Sequence, residues 1–275
     1  MTDPFVIVDL QGRTHTITAT LTDTVTTPAP PVVVKLGSMP AELAAAHTWT
    51  PDLAQDFTKQ TQLDPSVLSQ GWFPPSPGSN SGPVNGGEAA AYSPKNLAFT
   101  SEGLQFKLTN EPCTVPGYPT QLHTGALVTS NGLHNITPNV YIEARMKIPG
   151  NAAGAWDWPG FWLNGQSWPG DGEIDIIEIL DSYAAWHYHW GENGKDTEDK
   201  GGNVGKPTDY VGWHAFGCYW TPSRIDVYYD GKLVGSVTKN VTSTPHYLIL
   251  GNSTGNKGRV GSVMTCSSIN SWTHP

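Results

Sequence analysis

The chain of 275 residues carries 15 basic and 24 acidic side chains, a formal charge of -9, and only 14% of its residues are charged against 30 glycines and 23 prolines. This balance repels a polyanion and leaves no basic stripe for a phosphate backbone, which excludes nucleic acid as a partner. So many turn formers and so few charges also exclude long solvated helices, and the length suits one large domain, or a domain of about 220 residues with an appendage, of all-β class.

The N-terminus, M-T-D-P-F-V-I-V-D-L, has neither the basic region nor the long apolar run of a secretory signal, and no later segment approaches the ~18 apolar residues that span a bilayer. The expectation is a soluble, untargeted chain with no membrane partner. Action outside a cell or on a cell surface would then follow removal of a signal or another route of exit. Phe5 to Leu10 and Thr14 to Thr22 alternate in strand fashion around Gln11-Gly12, which predicts a hairpin, and T-V-T-T-P-A-P-P follows as a stiff spacer. The run from Glu42 to Ala46 is too short for a stable helix. Residues 1–48 are therefore expected to be an accessory or attachment segment with its linker, and 49–275 the main β-domain.

From Trp49 onward short apolar or β-branched runs alternate with Pro, Gly and Asn turns: Leu97 to Thr100, Leu104 to Leu108, Gly125 to Ser130, Val140 to Ile148, Ile174 to Leu180, Trp186 to Trp190, His214 to Trp220, Arg224 to Tyr229 and Tyr247 to Gly251. That series predicts an antiparallel sandwich or jelly roll. Ser76 to Gly87 is a loop by composition, and Asp230-Gly231 signals a tight hairpin turn. Cys113, Cys218 and Cys266 are odd in number, without CxxC or Cys/His spacing. Neither a disulfide framework nor a zinc site is indicated, and at most one bridge can form.

The stretch G-E-I-D-I-I-E-I-L, Gly172 to Leu180, sets three acids among isoleucines. Strand alternation puts Glu173 and Asp175 on one face and Ile174 and Ile176 on the other, and Glu178 would then face away. The doubled Ile176-Ile177 supplies one residue too many, so a β-bulge there returns Glu178 to the carboxylate face. Two long Glu side chains converging across a short Asp suit glycoside hydrolysis, where one carboxyl attacks and another donates a proton. Eleven tryptophans and ten tyrosines, many between Trp156 and Trp220, add flat faces on which sugar rings stack.

S-W-P-G-D-G-E-I-D-I-I-E, Ser167 to Glu178, resembles the signature of glycoside hydrolase family 16 in its bulged, laminarinase-like form (the endo-1,3-β-glucanase branch). Asp56 to Leu68, Gly125 to Ser130, Tyr141 to Pro149, Pro159 to Leu163 and His214 to Gly231 are similar to further blocks of that family, so the resemblance runs from about residue 50 to the C-terminus. It implies a concanavalin-like β-jelly roll of two sheets with substrate across the concave one. It also implies Glu173 as nucleophile, Asp175 as its assisting acid and Glu178 as acid/base. Trp168 resembles the tryptophan that stacks on the sugar beside the cleavage point, Trp162 is expected in the cleft, and His189 resembles a cleft histidine. His187 shares the face of His189 by alternation, while Tyr188 and Trp190 point oppositely, so one pair should be core.

Two departures matter. Trp156 and Trp158 fall in the loop Ala152 to Trp158, expected at the cleft edge, which leaves the polysaccharide undetermined among laminarin, agar and carrageenan. Cys266 or a neighbour takes the place of the aspartate that commonly helps bind a structural calcium on the convex face, so no cofactor is expected. The resulting expectation is a monomeric, endo-acting, retaining β-glycanase whose partner is a polysaccharide, most simply β-1,3-glucan. A second reading is a carbohydrate-binding protein on a hydrolase scaffold, such as a phage-tail or other assembly component that grips or degrades a host glycan.

Overall fold

The computed structural model describes residues 5–8, 14–17, 37–71, 79–180, 183–192, 194–197, 200–203, 209–255 and 261–275. The Gln11-Gly12 turn, the Thr/Pro spacer and the start of the Ser76 to Gly87 loop lie outside them. The chain divides into two compact units, Met1–Lys35 and Leu36–Pro275. In the first, Phe5–Val8 pairs antiparallel with Thr14–Ile17, Phe5 opposite Ile17 and Val8 opposite Thr14.

The second unit is a two-sheet antiparallel jelly roll. One sheet runs, in spatial order, Lys200–Asn203, Tyr183–His189, Glu173–Leu180, Trp158–Gly165, His246–Ser253, His123–Thr129 and Ser69–Gln70, with Ala90–Tyr92 parallel to His123–Thr129. The other runs Lys232–Val237, Arg224–Tyr229, Gly212–Thr221, Val140–Ile148, Val263–Thr273, Gly103–Lys107 and Leu97–Thr100, with Thr50–Asp56 also paired to Val263–Thr273. Alternation sends one side chain in two from each sheet into the shared core, where Ile174, Ile176, Ile179 and Tyr188 meet Phe216, Cys218 and Trp220. Among the described residues no helix is long and apolar enough to cross a membrane.

The Asp230-Gly231 turn forms as expected, with φ of 48° and 72°. Two positive values in succession are what a tight hairpin with the native strand twist requires, and Asp followed by Gly tolerates them best. All three cysteines are buried and free.

Two elements differ from expectation. Ala41–Ala46 is a helix despite its six residues. Its stability is tertiary: Leu43 is buried, the Leu43 carbonyl accepts the Trp49 indole N–H at 3.3 Å, and the preceding Ser38 donates its N–H to Glu143 Oε2 at 2.9 Å. Val263–Thr273 is a long strand although V-M-T-C-S-S-I-N-S-W-T is too polar to signal one. It sits inside its sheet, paired on both sides, and such pairing supplies hydrogen bonds and packing that outweigh weak intrinsic preference.

Candidate active site

The carboxylate strand Glu173–Leu180 lies between Tyr183–His189 and Trp158–Gly165. Against the first neighbour, Asp175 stands opposite His187 but Glu178 opposite Ala185, so three steps on one strand meet two on the other. Against the second, Trp162 stands opposite Asp175 and Phe161 opposite Ile177. One residue is surplus at Ile176-Ile177, and the bulge inferred from the doubled isoleucine is present. Ile176 and Ile177 both pack into the core, while Glu173, Asp175 and Glu178 line one cleft.

That cleft encloses about 520 Å³, within the range of sugar-sized sites. Its lining adds Asn164, Trp168, His187 and His189 to the three acids, with Val84 and Asn85 arriving from a distant turn. A smaller recess of about 50 Å³ adjoins it between Glu88, Trp158, Trp162 and Glu178.

Each acid is held by specific partners. Glu178 Oε1 accepts the Trp158 indole N–H at 2.9 Å, and Oε2 lies 2.8 Å from His187 Nδ1. His189 reaches Asp175 Oδ2 through Nε2 at 3.4 Å and Asp196 Oδ2 through Nδ1 at 3.3 Å. Gly201 stands opposite His187, and a β-carbon there would collide with its ring, so glycine is needed for the imidazole to lie flat against the edge strand.

Burial is the main cause that lifts Glu173 well above the usual carboxylate range, with the Asp175 charge adding to it; His189 and a hydrogen bond from Trp168 oppose the rise. Asp175 is likewise raised by burial, the His189 hydrogen bond opposing and the Glu178 charge adding. His189 moves to about 10, chiefly through its hydrogen bond to Asp175 and against the effect of burial. The cluster therefore keeps a cation and holds its protons more tightly than isolated acids do.

The other expected residues divide. Trp168 is 50% exposed and lines the cleft beside Glu173. Trp162 is half-buried opposite Asp175, lines the smaller recess and packs on Tyr92, Leu127, Tyr247 and Ile249. His187 and His189 face the acids, and Tyr188 and Trp190 belong to the core, which decides the face left open by alternation. Trp158 opens a strand rather than sitting in the edge loop, and its indole bonds Glu178. Trp156 is not among the residues lining either cavity. Asp157 between the two tryptophans has φ of 60°, a left-handed step that breaks the alternation of a regular strand there. Asn164, two positions after Trp162 on the same strand, belongs to the cleft by alternation. Asn85 and Glu88 carry no sequence signal, since only the pairing of distant strands brings their turn here.

Asp175, Glu178 and His187 offer ligand atoms within 4.8 Å of one another, and the His187–Glu178 contact accounts for much of that closeness. On the opposite sheet Cys266 is fully buried, burial raises its thiol, and Sγ donates to the Ser268 carbonyl at 3.4 Å. A neutral buried thiol does not fit calcium, which takes oxygen ligands.

A two-sheet jelly roll whose cleft is lined by three carboxylates, a tryptophan and two histidines is a frame suited to glycoside hydrolysis. The family described as "Glycosyl hydrolases family 16" matches residues 87–258, more than half of the chain, and the chain belongs to it. Its fold is that of an endo-β-1,3-glucanase from Pyrococcus furiosus (TM-score 0.68, 22% identity, 83% of this chain and 96% of that one) and of the catalytic domain of an endo-1,3-β-glucanase (laminarinase) from Thermotoga petrophila (TM-score 0.67, 22% identity, 83% and 99%). In sequence it is similar to a probable endo-1,3(4)-β-glucanase of Aspergillus clavatus, 43% identical over 49 residues, 18% of this chain and 7% of that protein. It is also similar to an endo-1,3-1,4-β-glycanase of Rhizobium meliloti, 28% identical over 118 residues, 40% and 23%. The chain thus spans only a small part of the length of the curated relatives it matches.

Proposed function

We propose that this chain is an endo-acting, retaining β-glucanase that cuts β-1,3-glucan outside a cell or at its surface, without a metal. The observation that carries the reading is the bulge at Ile176-Ile177, which puts Glu178 on the face of Glu173 and Asp175 within the grip of Trp158 and His187. Glu173 attacks the anomeric carbon while Glu178 gives its proton to the leaving oxygen. Glu178 then takes a proton from water, which displaces Glu173 from the sugar. Two inversions give net retention. Trp168 and His189 favour the ionised form of Glu173, whereas burial and Asp175 favour the protonated form. The reading therefore requires Glu173 to be ionised once the glycan is bound. The endo-1,3(4)-β-glucanase names of the relatives, together with the open cleft, support the choice of glucan and of internal cleavage.

Glu173→Gln and Glu178→Gln are each expected to lower turnover of a soluble β-1,3-glucan by about 10³-fold or more with an unchanged circular dichroism spectrum. Reducing-end release is the measurement, and wild-type turnover in either variant would end the assignment. A binding protein on the same scaffold would release no reducing ends at all.

A further inference from the structure

The recess beside the acids contains a carboxylate for which the two-step reaction has no use. Glu88 closes the turn V-N-G-G-E, Val84 to Glu88. Its Oε2 accepts the Val84 N–H at 2.9 Å and its Oε1 accepts the Tyr92 hydroxyl at 2.7 Å, so the side chain folds back and stiffens its own turn. Ala89 N–H then ties the turn to the Thr254 carbonyl at 2.7 Å. The Ser253 hydroxyl is a third neighbour of the carboxylate, whose two oxygens offer about four lone-pair directions, so the group still has room for another donor. Burial is the first cause that raises Glu88 to about 7; the Tyr92 and Val84 hydrogen bonds oppose the rise, and the charge of Glu178 adds to it.

The recess has the size of a small polar substituent. About 50 Å³ of open space is several times the ~10–15 Å³ that admits one water molecule, which suits a hydroxyl or hydroxymethyl group. Its walls include the rings of Trp158 and Trp162, and its described lining holds Glu88, Glu173, Asp175 and Glu178 but no lysine or arginine. An anionic substituent would lose its hydration there with no cation in the described lining to pair it.

We propose that this recess is a subsite for a neutral, hydroxyl-bearing part of the glycan, in which Glu88 accepts a sugar hydroxyl and turns away a sulfated or carboxylated unit. The inference rests on the glucanase reading above and makes Glu88 a specificity-determining residue.

Glu88→Gln separates binding from folding. The amide has the same volume, its oxygen accepts the Val84 N–H and its nitrogen donates to the Tyr92 hydroxyl, so both ties of the turn survive while the anionic acceptor is lost. At pH 8, above the value of about 7 at which Glu88 ionises, KM for a soluble β-1,3-glucan is expected to rise about tenfold, the size of one charge-assisted hydrogen bond, with kcat within about twofold and the melting temperature unchanged. An unchanged KM, or a fall confined to kcat, overturns the proposal. The wild-type protein, whose folding is not in question, provides a second arm: it is expected to hydrolyse the neutral glucan and leave a sulfated galactan uncut. Comparable turnover of the two overturns the proposal while leaving the hydrolase reading intact. A wild-type protein that frees no reducing ends from any neutral glucan defeats the glucanase reading, and this inference falls with it.

Discussion

Glu178 has little freedom once folded, because the Trp158 indole takes one carboxylate oxygen and His187 the other. His189 is the second fixed point, engaged by Asp175 on one side and Asp196 on the other. Its raised value has a consequence for stability. A group whose folded pKa lies above its unfolded one stabilises fully below the unfolded value, ~6.5 for histidine, and loses that contribution as pH climbs through the folded value, about 10 here. Wild type is therefore expected to melt above His189→Gln at pH 6.5, with the gap narrowing steadily toward pH 10. Melting curves of both proteins across that range are the check, and a constant gap would contradict the assignment. At this scale legibility was uneven. Glu173, Asp175 and Glu178 could be read from their spacing and one doubled isoleucine, but the partners of Glu178 could not. Trp158 comes from twenty positions away and from a strand whose direction depends on the left-handed step at Asp157.

The bulge turns a strand of isoleucines into a catalytic wall. Because side chains alternate with a period of two, one residue more or less moves every later side chain to the opposite face. Inserting one alanine between Ile177 and Glu178, beyond the single surplus residue that the bulge absorbs, would drive Glu178 toward the core and Ile179 toward the cleft, so the insertion is expected to abolish glucan hydrolysis and to lower stability by several kcal/mol through burial of a carboxylate. Ile177→Ala keeps the register. It is expected to cost about 2–5 kcal/mol of stability as a cavity and to retain most of its activity below its melting range. Urea unfolding and reducing-end assays on the pair separate register from packing, and an active insertion variant would refute the argument. The same period explains what sequence patterning reads well and badly. Val140–Ile148 and Arg224–Tyr229 are legible because one face of each is apolar. Val263–Thr273 was not legible, because its pairing on both sides, rather than its own residues, keeps it extended.

The two compact units give the whole molecule a testable boundary. Residues 36–48 belong with the larger one: Met39 and Leu43 are buried in it, and Ser38 holds Glu143, a buried carboxyl that burial keeps above its usual range. Removing residues 1–35 is expected to leave the melting temperature and glucan hydrolysis unchanged. Removing residues 1–48 strips the Ser38 and Leu43 contacts and is expected to cost about 3 kcal/mol, lowering the melting temperature by roughly 6–12 °C. Calorimetry of the two truncations decides the matter, and equal melting temperatures would show the boundary to be misplaced. By itself the sequence determined the all-β class, the strands with one apolar face, the bulge and the three acids, because each depends on neighbours within a few positions and on a period that geometry fixes. Only the tertiary structure decided that His187 and His189 face the acids while Tyr188 and Trp190 fill the core, that Trp158 rather than Trp156 reaches Glu178, and that Glu88 and Asn85 close the cleft. Those outcomes depend on which strands lie side by side, and contacts between residues as far apart as Ala89 and Thr254 leave no trace in local composition.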